Sequence, residues 1–295
     1  MYKEKKIVCI NYCDSKFELQ RKYNSFTALR YGKADEVIEY SPKDIEQSFI
    51  DENSEIFSIK RGAGLWLWKP YLILKTLESL SDGEYLMYTD SGSFFCGCIT
   101  SLIDSLEKSA EDRGIMCFEL PLFECEWTKR ETMQRMGYKG DKDHQILGSY
   151  ILMRKCDFVV NFIKEWLDAC KDIVNLHGDN YTDLVENSNF VAHREDQSVL
   201  SILCHNYGIQ PFRDPSQYGD YPWEYASNKG SKKRWSFEIK EYPNSPFGRI
   251  IVSNRKIEPI KFYKRLKKKD KFNKFGLYNK WIFKMRWGAF YGVLE

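Results

Sequence analysis

Two stretches of the chain are apolar without alternation: residues 6–12 (KIVCINY) and 85–88 (YLMY). A strand with one face in water would alternate, so these runs predict strands covered on both faces, as in the centre of a parallel sheet. Between them, the pattern predicts a helix reaching Tyr31 with Gly32 placed to end it, and short strands over 37–40 and 55–59. Pro70 is suited to start a helix whose apolar residues Ile73, Leu77 and Leu80 recur at i, i+4 and i+7. Asp82-Gly83 then turns the chain into the strand that runs up to Asp90.

Further on, the pattern predicts a helix over 99–106 and strands over 115–118 and 147–153. A helix over 158–173 carries Val159, Phe162, Ile163, Trp166 and Cys170 on one side, and another over 196–207 is closed by Gly208. Strands alternating with helices predict an α/β fold, with a mixed, mostly parallel sheet flanked by helices. Ligands of such sheets bind at the carboxyl ends of the strands, and Asp90 stands at one of them. There is no internal repeat.

With 295 residues, 43% hydrophobic and 29% charged, the chain is an ordinary globular one with ample core. No apolar run is long enough to span a bilayer, and the opening MYKEKK lacks the apolar segment of a signal peptide. The nine cysteines are odd in number and show no zinc-site spacing. Free thiols in a reducing compartment are the expectation, and hence a protein kept in the cytoplasm.

Charge is unevenly placed. Residues 255–286 hold thirteen Lys or Arg against Glu258 and Asp270, a local balance of +11, so within the formal total of +3 the rest of the chain stands at −8. A basic tail on a mildly acidic body suits an anionic membrane surface, because Phe262, Tyr263, Phe272, Phe275, Tyr278, Trp281 and Trp287 interleave the cations. A solvated basic helix packed on the acidic body is the competing reading. Nucleic acid is not expected, since no recognition motif accompanies the charge. The division is therefore 1–254 for a catalytic body and 255–295 for a tail.

Three stretches carry candidate chemistry. A carboxylate at a strand end, Asp90, followed by Ser91 and Gly92, can reach a ligand or a divalent cation above the sheet; the plainer reading is an Asp that begins a turn. Residues 60–70 (KRGAGLWLWKP) combine glycines, tryptophans and cations suited to a diphosphate and a stacking partner, without P-loop spacing. In residues 193–198 (HREDQS), Asp196 begins a helix and serves either as its cap or as a group facing an anion or sugar hydroxyl. No Ser/His/Asp or Cys/His arrangement is readable.

The order of these pieces, a first strand, G-x-W-x-W-K-P leading into a helix, Y-x-D ending a strand and a later D-Q helix, resembles GT-A-fold glycosyltransferases over roughly residues 5–220. The likeness is to bacterial enzymes that build capsular polysaccharide or lipopolysaccharide, distantly similar to the lipopolysaccharide galactosyltransferase and glycogenin group. The resemblance implies transfer of a hexose from a UDP-sugar, galactose or glucose, to a glycan or lipid-linked acceptor, with the enzyme peripheral on the inner face of the cell membrane. It implies that Asn11, Tyr12 and Asp14 meet the nucleotide base and ribose, and that Arg61 and Lys69 lie near the diphosphate. Asp90 corresponds to the first acid of the D-x-D metal motif, with Ser91 beside it. Gly148 and Ser149, within QILGSY, match the segment lining the donor sugar, and Asp196 with Gln197 match the pair beside the anomeric carbon. Phe212, Arg213, Asp214, Pro215 and Gln217 would shape the acceptor side.

Two positions depart from that pattern. Gly92 stands where the second acid of D-x-D belongs, and no histidine follows His205. Either Mn2+ or Mg2+ is held by Asp90, the diphosphate and water, or Lys and Arg neutralise the leaving group instead. The D-Q pair favours retention over inversion at the anomeric carbon. The rival readings are a sugar nucleotidyltransferase and a non-catalytic glycan- or membrane-binding protein of the same fold.

Overall fold

The first apolar run forms β1 (Ile7–Tyr12), buried along its whole length in the computed structural model, which describes residues 2–140, 142–226, 235–254 and 257–273. It pairs in parallel with β2 (Glu36–Tyr40) on one side and β3 (Tyr85–Thr89) on the other. The chain then makes β4 (Ser93–Phe95), β5 (Ile115–Met116), β6 (Phe118–Phe123), β7 (His144–Ile146), β8 (Tyr150–Arg154), β9 (Phe212–Arg213) and β10 (Ile251–Ser253). The main sheet has the order β2-β1-β3-β8-β5, with β8 antiparallel to both its neighbours, so four of its five strands run one way. The protein is a mixed, mostly parallel α/β fold.

Alternate residues of β1 and β3 serve opposite layers, which accounts for the missing alternation. Val8, Ile10, Leu86 and Tyr88 face the helices Trp68–Ser79 and Asp157–Lys171, through Leu72, Ile73, Phe162 and Trp166. Ile7, Cys9, Tyr85 and Met87 face the helix Thr100–Glu107, through Leu102, Ile103 and Leu106. Each such side chain contributes about 1.5 to 3 kcal/mol by leaving water.

Several expectations meet corrections. Residues 55–59 are not a strand: Phe57 N and Ser58 N bond back to Asn53 and Ser54, and the helix Ser54–Phe57 buries Ile56. The first helix, Glu18–Thr27, passes into a wider turn, Ala28–Gly32, and the left-handed residue that closes it is Lys33 (φ 61°). The run 115–118 divides between two strands, and the run 147–153 becomes strand only from Tyr150, after β7 has ended at Ile146. β5 and β8 lie in the main sheet, and their neighbours β6 and β7 lie in a second sheet of order β7-β6-β9. Leu147 N still bonds Phe118 O at 2.7 Å, so both breaks fall together beside residues 147–149.

The helix Pro259–Asn273 lies on the body. Leu266 is buried with Phe94, Tyr221 and Val252, and Asp270 accepts from Tyr221 Oη (2.7 Å) and Arg249 Nη1 (3.0 Å). Lys261, Lys264, Arg265, Lys267 and Lys268 are exposed. The later aromatic positions expected to reach a membrane, from Phe275 to Trp287, lie outside the described residues. Among the described residues no helix is long and apolar enough to cross a membrane.

Candidate functional site

Parallel pairing of β1, β2 and β3 brings their carboxyl ends side by side. Ser91 Oγ donates to Tyr12 O (2.5 Å) and Cys13 N donates to Tyr40 O (3.1 Å), tying the three ends together. Behind them is a buried amide network: Asn24 Nδ2 donates to Thr89 Oγ1 (2.9 Å) and Ser93 O (2.8 Å), and Asn11 Nδ2 donates to Asn24 Oδ1 (2.9 Å). Asn11 is 1% exposed and Asn24 fully buried. Asn11 therefore shapes the strand ends from behind and does not face a nucleotide, contrary to expectation.

In front of the strand ends lies a cavity of about 280 Å³. One wall is the chain after β1, with Tyr12, Asp14, Lys16 and Phe17; another is Asp90, Ser91 and Gly92 after β3. The third is built from Lys60, Gly62, Ala63, Trp66 and Trp68. Asp14 also accepts from Lys16 N (3.0 Å) and caps the short turn Ser15–Phe17.

The third wall is a single left-handed turn. Five successive residues, Gly62 to Trp66, have φ of 60, 52, 92, 51 and 62°. Leu65 N bonds Arg61 O (2.9 Å) and Trp66 N bonds Gly62 O (3.2 Å). Such a conformation costs roughly 1–2 kcal/mol for each residue with a Cβ, here Ala63, Leu65 and Trp66. The two glycines are required, since a Cβ on Gly62 would stand 2.3 Å from the Trp66 ring and one on Gly64 would stand 2.7 Å from Phe57. Burial of Leu65 and Leu67, the Trp68 indole N–H bonded to Gly62 O (2.9 Å), and the Tyr12–Trp68 stack (centroids 3.8 Å apart) offset the strain. The aromatic pair is thus stacked within the protein at the cavity wall.

Lys69 follows this turn at the start of the next helix and is only 4% exposed. Its ammonium lies 2.5 Å from Asp196 Oδ2, 3.1 Å from Gly148 O and 4.0 Å from Asp90 Oδ1. Asp90 Oδ1 also accepts from Tyr88 Oη (2.7 Å), and Asp90 N bonds Ser149 O (2.8 Å). Gln197 accepts from Gly148 N (3.1 Å) and donates to Gln145 Oε1 (2.8 Å). A Cβ at Gly148 would stand 3.1 Å from Gln197 Cβ, so glycine permits this approach. Six predicted positions, Lys69, Asp90, Gly148, Ser149, Asp196 and Gln197, are joined through one ammonium and its neighbours.

Asp196 is the first residue of the helix Asp196–Asn206 and its side chain does not cap it. Its carboxyl is raised to about 6, because burial outweighs the pull of Lys69 and Asp90 adds repulsion. Arg61 does not line the cavity: its Nε donates to Glu195 Oε1 (2.5 Å), and Glu195 itself has φ 47°. That ion pair ties the left-handed turn to the segment leading into Asp196.

The stretch expected on the acceptor side divides. Phe212 is core, and Gln217 is 2% exposed with its amide bonded both ways to Ser253 (2.7 and 2.9 Å). Arg213 and Asp214 line a second cavity of about 90 Å³ with Tyr218, Tyr225 and Tyr242. Burial pushes the Asp214 carboxyl up to about 6, opposed by its bonds from Ser216 and Tyr225.

Lys16, Lys60, Asn24 and the Glu195 partner of Arg61 were missed in the sequence. Lys60 and Glu195 each belong to a stretch singled out above, residues 60–70 and 193–198, whereas nothing local marks Lys16 and Asn24.

A divalent ion would need several oxygen ligands around it. Of the carboxylates near Asp90, Asp196 is turned onto Lys69 and Asp14 bonds the backbone. Among the described residues, no three His, Cys, Asp or Glu side chains stand together as a metal site. The donor set does not fit the Mn2+ or Mg2+ implied by D-x-D.

No family model and no curated protein matches the chain. Among solved structures it is similar to mouse xyloside xylosyltransferase 1 in its apo form, at 8% identity over 85% of this chain and 98% of that one, with a TM-score of 0.44. It is similar to an active-site mutant of LgtC at 12% identity (84% and 86% covered, TM-score 0.43). A third is the apo glycosyltransferase GlyE of Streptococcus pneumoniae TIGR4, at 13% identity (88% and 59% covered, TM-score 0.37). Likeness at this level concerns the course of the backbone alone.

Proposed function

We propose that this chain is a GT-A-like glycosyltransferase that moves a hexose from a nucleoside diphosphate sugar, UDP-galactose or UDP-glucose, to a hydroxyl of a cell-surface glycan or lipid-linked acceptor. The observation that carries the reading is the Lys69 ammonium between Asp90 and Asp196, because it puts the strand-end acid, the GS segment and the D-Q pair at one place beside a cavity. The donor's nucleotide occupies that cavity, between Tyr12, the left-handed turn and Asp90, and its sugar lies towards Gly148, Ser149 and Gln197.

Transfer passes through an oxocarbenium-like state while negative charge grows on the departing diphosphate. Fixed cations at that oxygen and fixed dipoles at the sugar supply the main stabilisation. Asp196 is buried and held by Lys69, and so acts as a fixed negative group near the sugar rather than as a solvent-facing base. That supports retention. Incubation with a panel of nucleotide sugars tests the assignment: one UDP-hexose should be slowly hydrolysed without acceptor, and no release of nucleotide from any donor would overturn it.

In the same reading, residues 1–254 carry catalysis and 255–295 associate with the anionic inner leaflet of the cell membrane. The exposed cations of the helix Pro259–Asn273 support this, at roughly 1 kcal/mol each near such a surface.

A further inference from the structure

We infer that the cavity holds its diphosphate with the ammonium groups of Lys16 and Lys60, and that nucleotide binding needs no divalent metal. The inference rests on the nucleotide-sugar reading and deepens it.

A diphosphate carries at least two negative charges at neutral pH, and a site that binds it must supply cations. Asp90, the one acid left of D-x-D, could not easily hold a divalent ion, because the ammonium of Lys69 stands 4.0 Å from its Oδ1. That ammonium is fixed by Asp196 at 2.5 Å and Gly148 O at 3.1 Å, and cannot swing away without leaving Asp196 buried and unpaired. A divalent ion on Asp90 would meet a like charge at close range. Lys69 thus stands as a resident cation next to Asp90, shielded from the cavity that the nucleotide would enter.

Cations do reach that cavity from two other places. Lys16 comes from the wall after β1 and Lys60 from the wall before the left-handed turn. Both are exposed, and among the described residues neither makes an ion pair with a carboxylate. Arg61, the neighbouring cation, is instead committed to Glu195. Two long side chains from separate segments lining one cavity suit an extended anion such as a diphosphate, each ammonium offering up to three donors.

Titration calorimetry of the full-length protein with UDP tests this, once in buffer containing EDTA and once with Mn2+. The expected result is a Kd that agrees within about threefold between the two. Lys16→Gln and Lys60→Gln should each raise the Kd roughly tenfold or more in EDTA, and Lys60→Arg should restore most of it. Both lysines are exposed, so an unchanged Tm shows that the variants are folded. UDP binding seen only with Mn2+, or unaffected by both substitutions, overturns the inference and leaves the nucleotide-sugar reading standing. Absence of binding by UDP, GDP, CDP and ADP under both conditions overturns the two together.

Discussion

Lys69 and Asp196, 127 positions apart in the chain, meet at 2.5 Å with both side chains 5% exposed. An ion pair so deeply buried is weak support for stability, since desolvation offsets its attraction, but breaking it from one side is costly. Lys69→Met should destabilise the protein by about 3 to 5 kcal/mol in urea unfolding. Adding Asp196→Leu in that background should recover part of the loss, since no buried charge is then left unpaired. Additive losses would show that the two do not act as a pair.

For catalysis the expected order differs. Asp196→Asn keeps the side chain's size and should lower kcat/KM by about 2 to 4 kcal/mol of transition-state stabilisation, roughly 30- to 1,000-fold. The carboxylate does not cap its helix, but the change leaves the buried Lys69 ammonium without its counter-charge, so the melting temperature should fall too. Turnover is therefore compared at a temperature where the variant is still folded. A variant whose turnover stays normal would remove Asp196 from the reaction.

Asp90→Asn should abolish transfer while leaving the fold intact, because the amide oxygen can still accept from Tyr88 and the backbone bond from Asp90 N to Ser149 O remains. Circular dichroism with a turnover assay on one preparation decides it. Near-normal turnover would place the donor elsewhere.

Burial of Asp214 gives a pH signature. With its carboxyl raised from 3.8 to about 6, the native state holds this proton more tightly than the unfolded chain. The resulting stability is complete below pH 4 and lost as pH rises to 6, by roughly 3 kcal/mol from this group. Asp214→Asn should flatten that part of the stability curve. Equal slopes in the two proteins between pH 4 and 6 would refute the assignment.

The basic helix calls for a variant that spares its docked face. Replacing Lys261, Lys264, Arg265 and Lys268 by Gln leaves Leu266 and Asp270 in place on the body. Sedimentation with phosphatidylserine-rich liposomes should be strong for the unaltered protein at low salt, weaken as salt rises, and fall markedly in the variant. Equal sedimentation of the two would assign membrane binding elsewhere.

The sequence by itself determined the sheet's centre, because a strand buried on both faces has no polar positions to spare: residues 6–12 and 85–88 read as β1 and β3 without alternation. It also marked Asp90 at a strand's carboxyl end, and the order of motifs that brings Lys69, Gly148, Asp196 and Gln197 to it. It could not show that Asn11 turns inward to Asn24, since an amide that ends a buried strand reads the same whether its partner is a ligand or a helix. It misread residues 55–59, where a short apolar run follows both periods until tertiary packing chooses one. The left-handed turn at Gly62–Trp66 was beyond it as well, because no local preference puts Ala, Leu and Trp at positive φ; only the Trp68–Tyr12 stack, the buried leucines and the close approach of Phe57 hold it there. Which lysine is buried and which faces the cavity was likewise decided by the fold. Lys60, Arg61 and Lys69 are equivalent in charge, and the direction of the chain through that turn sends one to the cavity, one to Glu195 and one to Asp196.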